Sequence, residues 1–340
     1  MWHPNKILVI RFSAIGDVVL TTPILRMLKN RYPETRIDFL VKSQFAELIE
    51  THPALHRVWT FDPQEGMEDL IGLLRHEKYE GVVDLQSSPR SRCFASRVQA
   101  NRNVRFSPER FRRFLLVHFH LDCYREEEWV PIRYLKAIES WGVEDDGRGV
   151  ELFVNPDAEN SLEGKLKGLD SPGPILLLAP GAGRATKRWI PRRFGTVGNY
   201  FAQQGYQVIL IGGEKDCPTG SEVGSFIPKL SADFSGRLSL QESLALIQKA
   251  RILITNDTGV MHMASAVQTP VVAVFGPTTR QLGFYPFRAT SKVMERDLDC
   301  RPCSYHGSQR CPKTHFRCMR EIECRDVIEA AEELLNQESI

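Results

Sequence analysis

The sequence predicts two parallel α/β sheets in tandem, and three features of its 340 residues carry that reading. Short apolar runs alternate with segments of helical periodicity, first over residues 7–85 and again over 175–275. The runs are apolar throughout, as strands covered by helices on both faces must be. Asn155-Pro156 and Ser171-Pro172-Gly173-Pro174 bracket a polar, helical segment between the two stretches, and such turn-formers mark a linker. The expected domains are 1–155 and 170–324, each long enough to bury its own core.

In the first half, strands are expected over 7–10, 37–41, 58–61 and 81–85, and helices over 18–30, 45–50 and 68–76. After Ser87 the alternation weakens and arginines dominate. In the second half, 175–179 reads as a strand, 192–204 as a helix, and 207–211 as a strand running into Gly212-Gly213. A helix over 240–249, a strand over 252–255, a helix over 259–266 and a strand over 271–275 follow. Apolar side chains at 327, 328, 331, 334 and 335 have helical spacing. This terminal helix, taken over 325–340, has the option of packing back on the first domain. Ligands of open α/β sheets bind beyond the carboxyl ends of the strands, so two such domains facing each other would place a site in a cleft between them.

Composition narrows the function. Lys and Arg number 44 against 42 Asp and Glu, a net charge of +2, which argues against a nucleic-acid partner bound through an overall field. With 42% hydrophobic and 25% charged residues, the chain is neither disordered nor fibrous. The most apolar runs are four or five residues long, far short of the roughly 20 that cross a bilayer. Lys6 is followed by four apolar residues and then Arg11, which is no signal-peptide core. A cytoplasmic protein is expected. Five of the eight cysteines, Cys300, Cys303, Cys311, Cys318 and Cys324, crowd into one stretch. In such a compartment that clustering favours thiols or a metal over a disulfide framework.

Four motifs sit directly after expected strands. Arg11-Phe12-Ser13-Ala14-Ile15-Gly16-Asp17 has one glycine before its helix and lacks the GxGxxG spacing of a dinucleotide site. Asp17 reads as a helix-capping residue, as a general base, or as both. The stretch from Pro180-Gly181-Ala182-Gly183 to Lys187-Arg188-Trp189-Ile190-Pro191 combines small residues, which let backbone amides approach an anion, with two cations. It has no Gly-Lys-Ser/Thr and so is not a Walker loop. Asn256-Asp257-Thr258-Gly259-Val260-Met261-His262 offers helix N-terminal amides, a hydroxyl and an imidazole suited to a pyrophosphate, unless Asp257 only caps the helix and His262 only fills an interface. Phe275-Gly276-Pro277-Thr278 is a further small-residue turn.

In this order and over about residues 6–280, these motifs resemble the ADP-heptose:lipopolysaccharide heptosyltransferases of glycosyltransferase family 9. The resemblance implies a GT-B fold of two Rossmann-like domains, with the donor held mainly by the second. It implies inverting transfer of heptose from ADP-heptose to the lipopolysaccharide inner core, with no required cofactor. By the same resemblance Asp17 is the general base and Lys187 holds the donor phosphates, with Thr258 and Gly259 offering amides and Asp257 and His262 beside the diphosphate and sugar. Ser13, Gly16, Gly181, Ala182 and Gly183 belong to the same donor motifs. Relatives bind the nucleoside through an acid after the Gly-Gly turn. Glu214, Asp216 and Glu222 compete for that role, and Glu214 is favoured.

Residues 90–113 carry eight arginines and one acid, a local charge of +7. A solvated basic face is the plain reading. The sharper one is that guanidinium groups, among them Arg90, Arg92 and Arg97, meet the carboxylates and phosphates of an anionic lipid-linked acceptor. Phe106, Phe111, Phe114, Leu115 and Leu116 lie among or just after them, so peripheral attachment at the inner face of the inner membrane is expected. Cys300, Cys303, Cys311 and Cys318 are spaced as candidate ligands of structural zinc or iron, with His306 and His315 in reserve, or remain thiols or disulfides. Rival readings are a transferase using ADP-heptose or another nucleotide sugar on a protein or a different glycan, and a non-catalytic binding module of the same fold. The presence of both Asp17 and Lys187 argues against the module, and the missing GxGxxG against a nicotinamide dehydrogenase.

Overall fold

The computed structural model describes residues 2–124, 129–169 and 173–337. The chain divides into two compact units, one of Met1–Arg110 with Glu128–Phe153, the other of Phe111–Glu127 with Val154–Ile340. The second unit thus takes in a stretch, 111–127, that the sequence assigned to the first domain.

Unit 1 is built on β1 (Lys6–Ile10), β2 (Arg36–Lys42), β3 (Leu55–Phe61), β4 (Gly81–Asp84) and β5 (Arg102–Arg105). All pair in parallel, in the order β3-β2-β1-β4-β5. The order reverses between β1 and β4, which opens a crevice beyond their carboxyl ends. Below it Phe12, Phe61 and Phe94 meet pairwise with ring centroids 5.3–5.7 Å apart, giving the loop after β1 a rigid apolar floor.

The expected helix over 18–30 is two helices, Ile15–Val19 and Thr22–Arg31. Pro23 lies in the first turn of the second. It has no N–H for the preceding turn and its ring clashes with the carbonyl four residues back, so a continuous helix breaks there. The segment expected as a helix over 45–50 is a 3₁₀ turn, Ser43–Leu48. Beyond Ser87 regular structure continues, with a helix over Pro89–Arg97 whose N-cap Ser88 accepts from the Ser91 amide at 3.1 Å, and then β5.

Unit 2 contains β6 (Ile175–Ala179), β7 (Gln207–Leu210), β8 (Ala232–Asp233), β9 (Ile252–Asn256), β10 (Val271–Val274) and β11 (Ser291–Met294). These are parallel in the order β11-β10-β9-β6-β7-β8, reversing between β6 and β9. The terminal helix, Cys324–Gln337, packs on this sheet. Its stripe of Val327, Ala331, Leu334 and Leu335 is buried with Val272 and Val274 of β10. Glu332 accepts from the Tyr200 hydroxyl at 2.6 Å, and Lys292 pairs with Glu333 at 2.5 Å. Such a stripe goes to the nearest apolar face able to cover it, which here is β9–β11.

Candidate active site

The carboxyl ends of β1 and β4 carry an interlocked polar group. Arg11, the first residue after β1, is buried and reaches Asp17 Oδ1 through Nη2 at 2.6 Å. It also donates through Nη1 to the Leu85 carbonyl at 2.7 Å and through Nε to that of Ser13 at 3.0 Å. Burial opposes a charge on Arg11, but Asp17, Tyr134 and Asp84 together outweigh it and its pKa rises above the ordinary value. Asp17 lies in the first turn of Ile15–Val19, where its Oδ2 accepts from the Ala14 amide at 3.3 Å. Its carboxylate remains about a quarter exposed, 26%. Gln86 Oε1 accepts from the Phe12 amide at 3.0 Å and fixes the loop from the β4 side. Ser13 and Gly16 are half-buried in this turn.

Beside it, Asp84 is almost fully buried at the end of β4 and accepts from the amides of Gln86 and Ser87, the Ser91 hydroxyl and, at 3.3 Å, Arg105 Nε. Arg90 and Arg92 are exposed on the following helix, with Arg90 5.5 Å from the Phe61 ring centroid. Arg97 is drawn into a bidentate pair with Glu68, which holds that carboxyl below its usual range.

In unit 2 the loops after β6, β9 and β10 converge. Lys187 Nζ lies 2.6 Å from Asp257 Oδ2, and Thr278 donates its hydroxyl to the same oxygen at 2.7 Å. Asn256, the last residue of β9, donates to the Pro180 carbonyl at 2.8 Å and accepts from the Trp189 amide at 2.9 Å. It thereby ties both ends of the Lys187 loop to the central strand. Asp257 itself is buried, and a buried carboxylate needs such partners. Thr258 is the N-cap of Gly259–Ala266, without a side-chain cap bond. The first-turn amides of a helix have no intrahelical acceptor and carry its positive dipole end. His262 is buried one turn further on.

The small residues of the loop have separate reasons. A Cβ on Gly181 would sit 2.2 Å from the Asp216 carboxyl carbon, whereas Gly183 faces open space and Ala182 is buried. Asp216 Oδ2 caps the Gly213 amide at 3.0 Å, so its carboxylate is committed to the turn. Glu214 is exposed in the same 3₁₀ turn, Glu214–Asp216, and Glu222 is exposed on the next helix.

The four cysteines named as candidate metal ligands are neighbours of one another. Cys300, Cys303, Cys311 and Cys318 are free thiols, and the Cys300 sulfur lies 3.7 Å from His315 Nε2. Among the described residues no three His, Cys, Asp or Glu side chains are grouped to hold a metal. Burial, then the neighbouring thiols, raises the Cys303 pKa, and burial pushes Cys318 up to about 11.

The model of glycosyltransferase family 9 (heptosyltransferase) matches residues 67–313, well over half of the sequence. The chain belongs to glycosyltransferase family 9. This family-9 glycosyltransferase is 25% identical over 305 residues to lipooligosaccharide heptosyltransferase 2 of Haemophilus influenzae, spanning 81% of this chain and 84% of that protein. Its fold is that of the E. coli ADP-heptose lps heptosyltransferase II structure, at a TM-score of 0.79 and 23% identity, over 98% of this chain and 100% of the other. It is thus a GT-B enzyme. A more distant likeness is to the iron-containing dodecameric glycosyltransferase TibC of E. coli, at a TM-score of 0.60 and 16% identity, over 100% of this chain and 78% of that one.

The family-9 motifs named from the sequence all lie at strand carboxyl ends. Arg11 and Thr278, which stand in the quoted motifs without a role of their own, and Gln86 and Asp84, which stand in none, complete the two groups. Arg11 left a signal in the sequence as a charged residue directly after a fully apolar strand, and Thr278 as the end of the small-residue turn after β10.

Proposed function

We propose that the enzyme transfers heptose from ADP-heptose, with inversion, to a hydroxyl of the lipopolysaccharide inner core. The observation that carries this reading is the Lys187–Asp257–Thr278 group beside a helix N-terminus, at the β6/β9 reversal. An ammonium, unpaired amides and small residues in one crevice suit a nucleoside diphosphate. The names of the H. influenzae and E. coli relatives add the sugar and the acceptor class.

In this reading Lys187 and the amides of Thr258 and Gly259 hold the diphosphate. Gly181, Ala182 and Gly183 admit it closely, Glu214 takes the ribose hydroxyls, and His262 stands behind the phosphate site. Ser13 and Gly16 shape the turn that presents Asp17. Asp17 removes the acceptor hydroxyl proton as that oxygen forms its bond to the anomeric carbon. The anomeric carbon–oxygen bond breaks, its electron pair leaves with ADP, and Lys187 offsets the growing charge. No metal is assigned a step. Arg90 and Arg92 face the acceptor's anionic groups, and Arg97 joins them by releasing Glu68.

The direct test is incubation with ADP-heptose and core acceptors truncated before and after the first heptose. ADP release coupled to a heptosylated lipid is expected with one of them. Release only with a protein acceptor would redirect the reading, and no release with any acceptor would leave a binding module.

A peripheral position on the cytoplasmic face of the inner membrane follows from the acceptor's lipid anchor. No described helix is long and apolar enough to cross a membrane. The helix Arg110–Phe119 and the residues after it expose Phe111, Phe114, Phe119 and Leu121 by 72, 43, 59 and 55%. Arg110 and Arg112 stand exposed on either side of Phe111, so phenylalanines enter the interface while guanidiniums meet anionic headgroups. The enzyme is expected to sediment with phosphatidylglycerol vesicles at low salt. Phe111→Glu should weaken that about tenfold or more, since burying one Phe contributes about 2 kcal/mol. Equal sedimentation of wild type and variant would remove this surface from the reading.

A further inference from the structure

We propose that Arg301 and the strap it opens, residues 301–309, position the diphosphate site of unit 2, acting through Thr278 and Asp257 on Lys187. The proposal rests on the reading of Lys187 as the donor-phosphate cation. The Arg301 side chain is only 5% exposed although it carries a full charge. Its Nε donates to the Gly276 carbonyl at 2.5 Å, and its Nη2 to the Thr278 carbonyl at 2.7 Å and to Glu295 at 2.6 Å. Nη1 donates to the Arg296 carbonyl. Between the two gripped residues, the Pro277 carbonyl accepts from the Cys303 amide at 3.1 Å. Three consecutive carbonyls of the turn after β10 are therefore held from one side by the start of the strap.

Fixing the carbonyls on either side of Pro277 fixes the peptide planes and, with them, the direction of the Thr278 side chain. The Thr278 hydroxyl meets the same Asp257 oxygen that Lys187 uses, at 2.7 and 2.6 Å. The far end of the strap holds the other loop. Thr186 donates its amide to the Ser308 carbonyl at 3.0 Å, and its hydroxyl accepts from the Ser308 amide at 2.7 Å. Gly307, at φ +80°, passes so close that a Cβ there would lie 3.0 Å from Lys187 Cγ. Lys187 is thus confined from the Thr186 side and through Asp257 by one segment. An arginine suits this task because its planar fork offers five fixed donors, where lysine has a single rotating ammonium.

The test compares Arg301→Gln and Thr278→Val with wild type, each also combined with Lys187→Met. ADP affinity is read by calorimetry, and KM is measured separately for ADP-heptose and acceptor. Thr278→Val keeps the shape of the turn, so it carries the test if the arginine variant does not fold. Each single variant is expected to weaken ADP about tenfold, the scale of hydrogen bonds to charged groups, and to raise donor KM in step with acceptor KM unchanged. In the Lys187→Met background the further loss should vanish, because the chain of contacts ends at that ammonium. Equal shifts in both KM values, or full additivity with Lys187→Met, would overturn the strap while leaving Lys187 in place. Unchanged ADP affinity in Lys187→Met alone would overturn the phosphate assignment and the strap with it.

Discussion

Asp17→Asn is expected to lower kcat by about 10²- to 10⁴-fold, the range of general-base contributions, with the KM for donor little changed. Asparagine keeps the size and the planar head of the residue, and its oxygen can still accept from Arg11 or from the Ala14 amide. What it loses is the capacity to take a proton. Both Asp17 oxygens are engaged, Oδ1 by Arg11 at 2.6 Å and Oδ2 by the Ala14 amide at 3.3 Å. The carboxylate is therefore aimed as well as charged, and a base in a single orientation abstracts a proton only from an acceptor held to match. The same pair gives the substitution a second effect. Arg11 is buried and would lose its nearest counter-charge, so the melting temperature should fall as well. Arg11→Met/Asp17→Asn separates the two effects. It should regain stability, since neither charge is left alone, without regaining turnover. The measurement is ADP release at saturating donor and acceptor. Activity of Asp17→Asn within about fivefold of wild type would remove Asp17 from the base role.

The parts of the fold legible in the sequence were those where one physical signal dominates. Interior strands such as β6, β9 and β10 are covered on both faces and appear as uninterrupted apolar runs. The strands overlooked, β5, β8 and β11, lie at sheet edges, β5 largely exposed and the other two half-exposed. An Arg-Asn-Val-Arg edge strand such as β5 carries no apolar run to detect, because one side of it meets solvent. The strand-end motifs were legible because small and polar residues cluster there, in contrast to the apolar strands before them. The partners that fix them were not. Arg11 meets Leu85, and Thr278 meets Asp257, across separations that only the sheet order determines. The terminal helix was seen as a helix from its spacing, but its partner was not. An apolar stripe states that a face will be buried without stating where.

Lys187→Met should reduce kcat/KM about 10²- to 10³-fold, the scale of removing one preorganised charge from a departing anion. Part of any measured loss would come from elsewhere. Asp257 is buried and shares one oxygen between Lys187 and the Thr278 hydroxyl. Methionine fills the space of the lysine stem but leaves that carboxylate with the hydroxyl as its partner. An uncompensated buried charge is strongly destabilising, and the loop from Pro180 to Trp189, tied to β9 through Asn256, would shift with it. Lys187→Met/Asp257→Asn removes the stranded charge and keeps the acceptor for Thr278. If the ammonium acts on the diphosphate, the double variant melts near the wild-type temperature while ADP affinity and turnover stay low. If Lys187 serves only to neutralise Asp257, stability, ADP affinity and turnover return together. Thermal melting, ADP calorimetry and ADP release on the same two proteins decide between these outcomes.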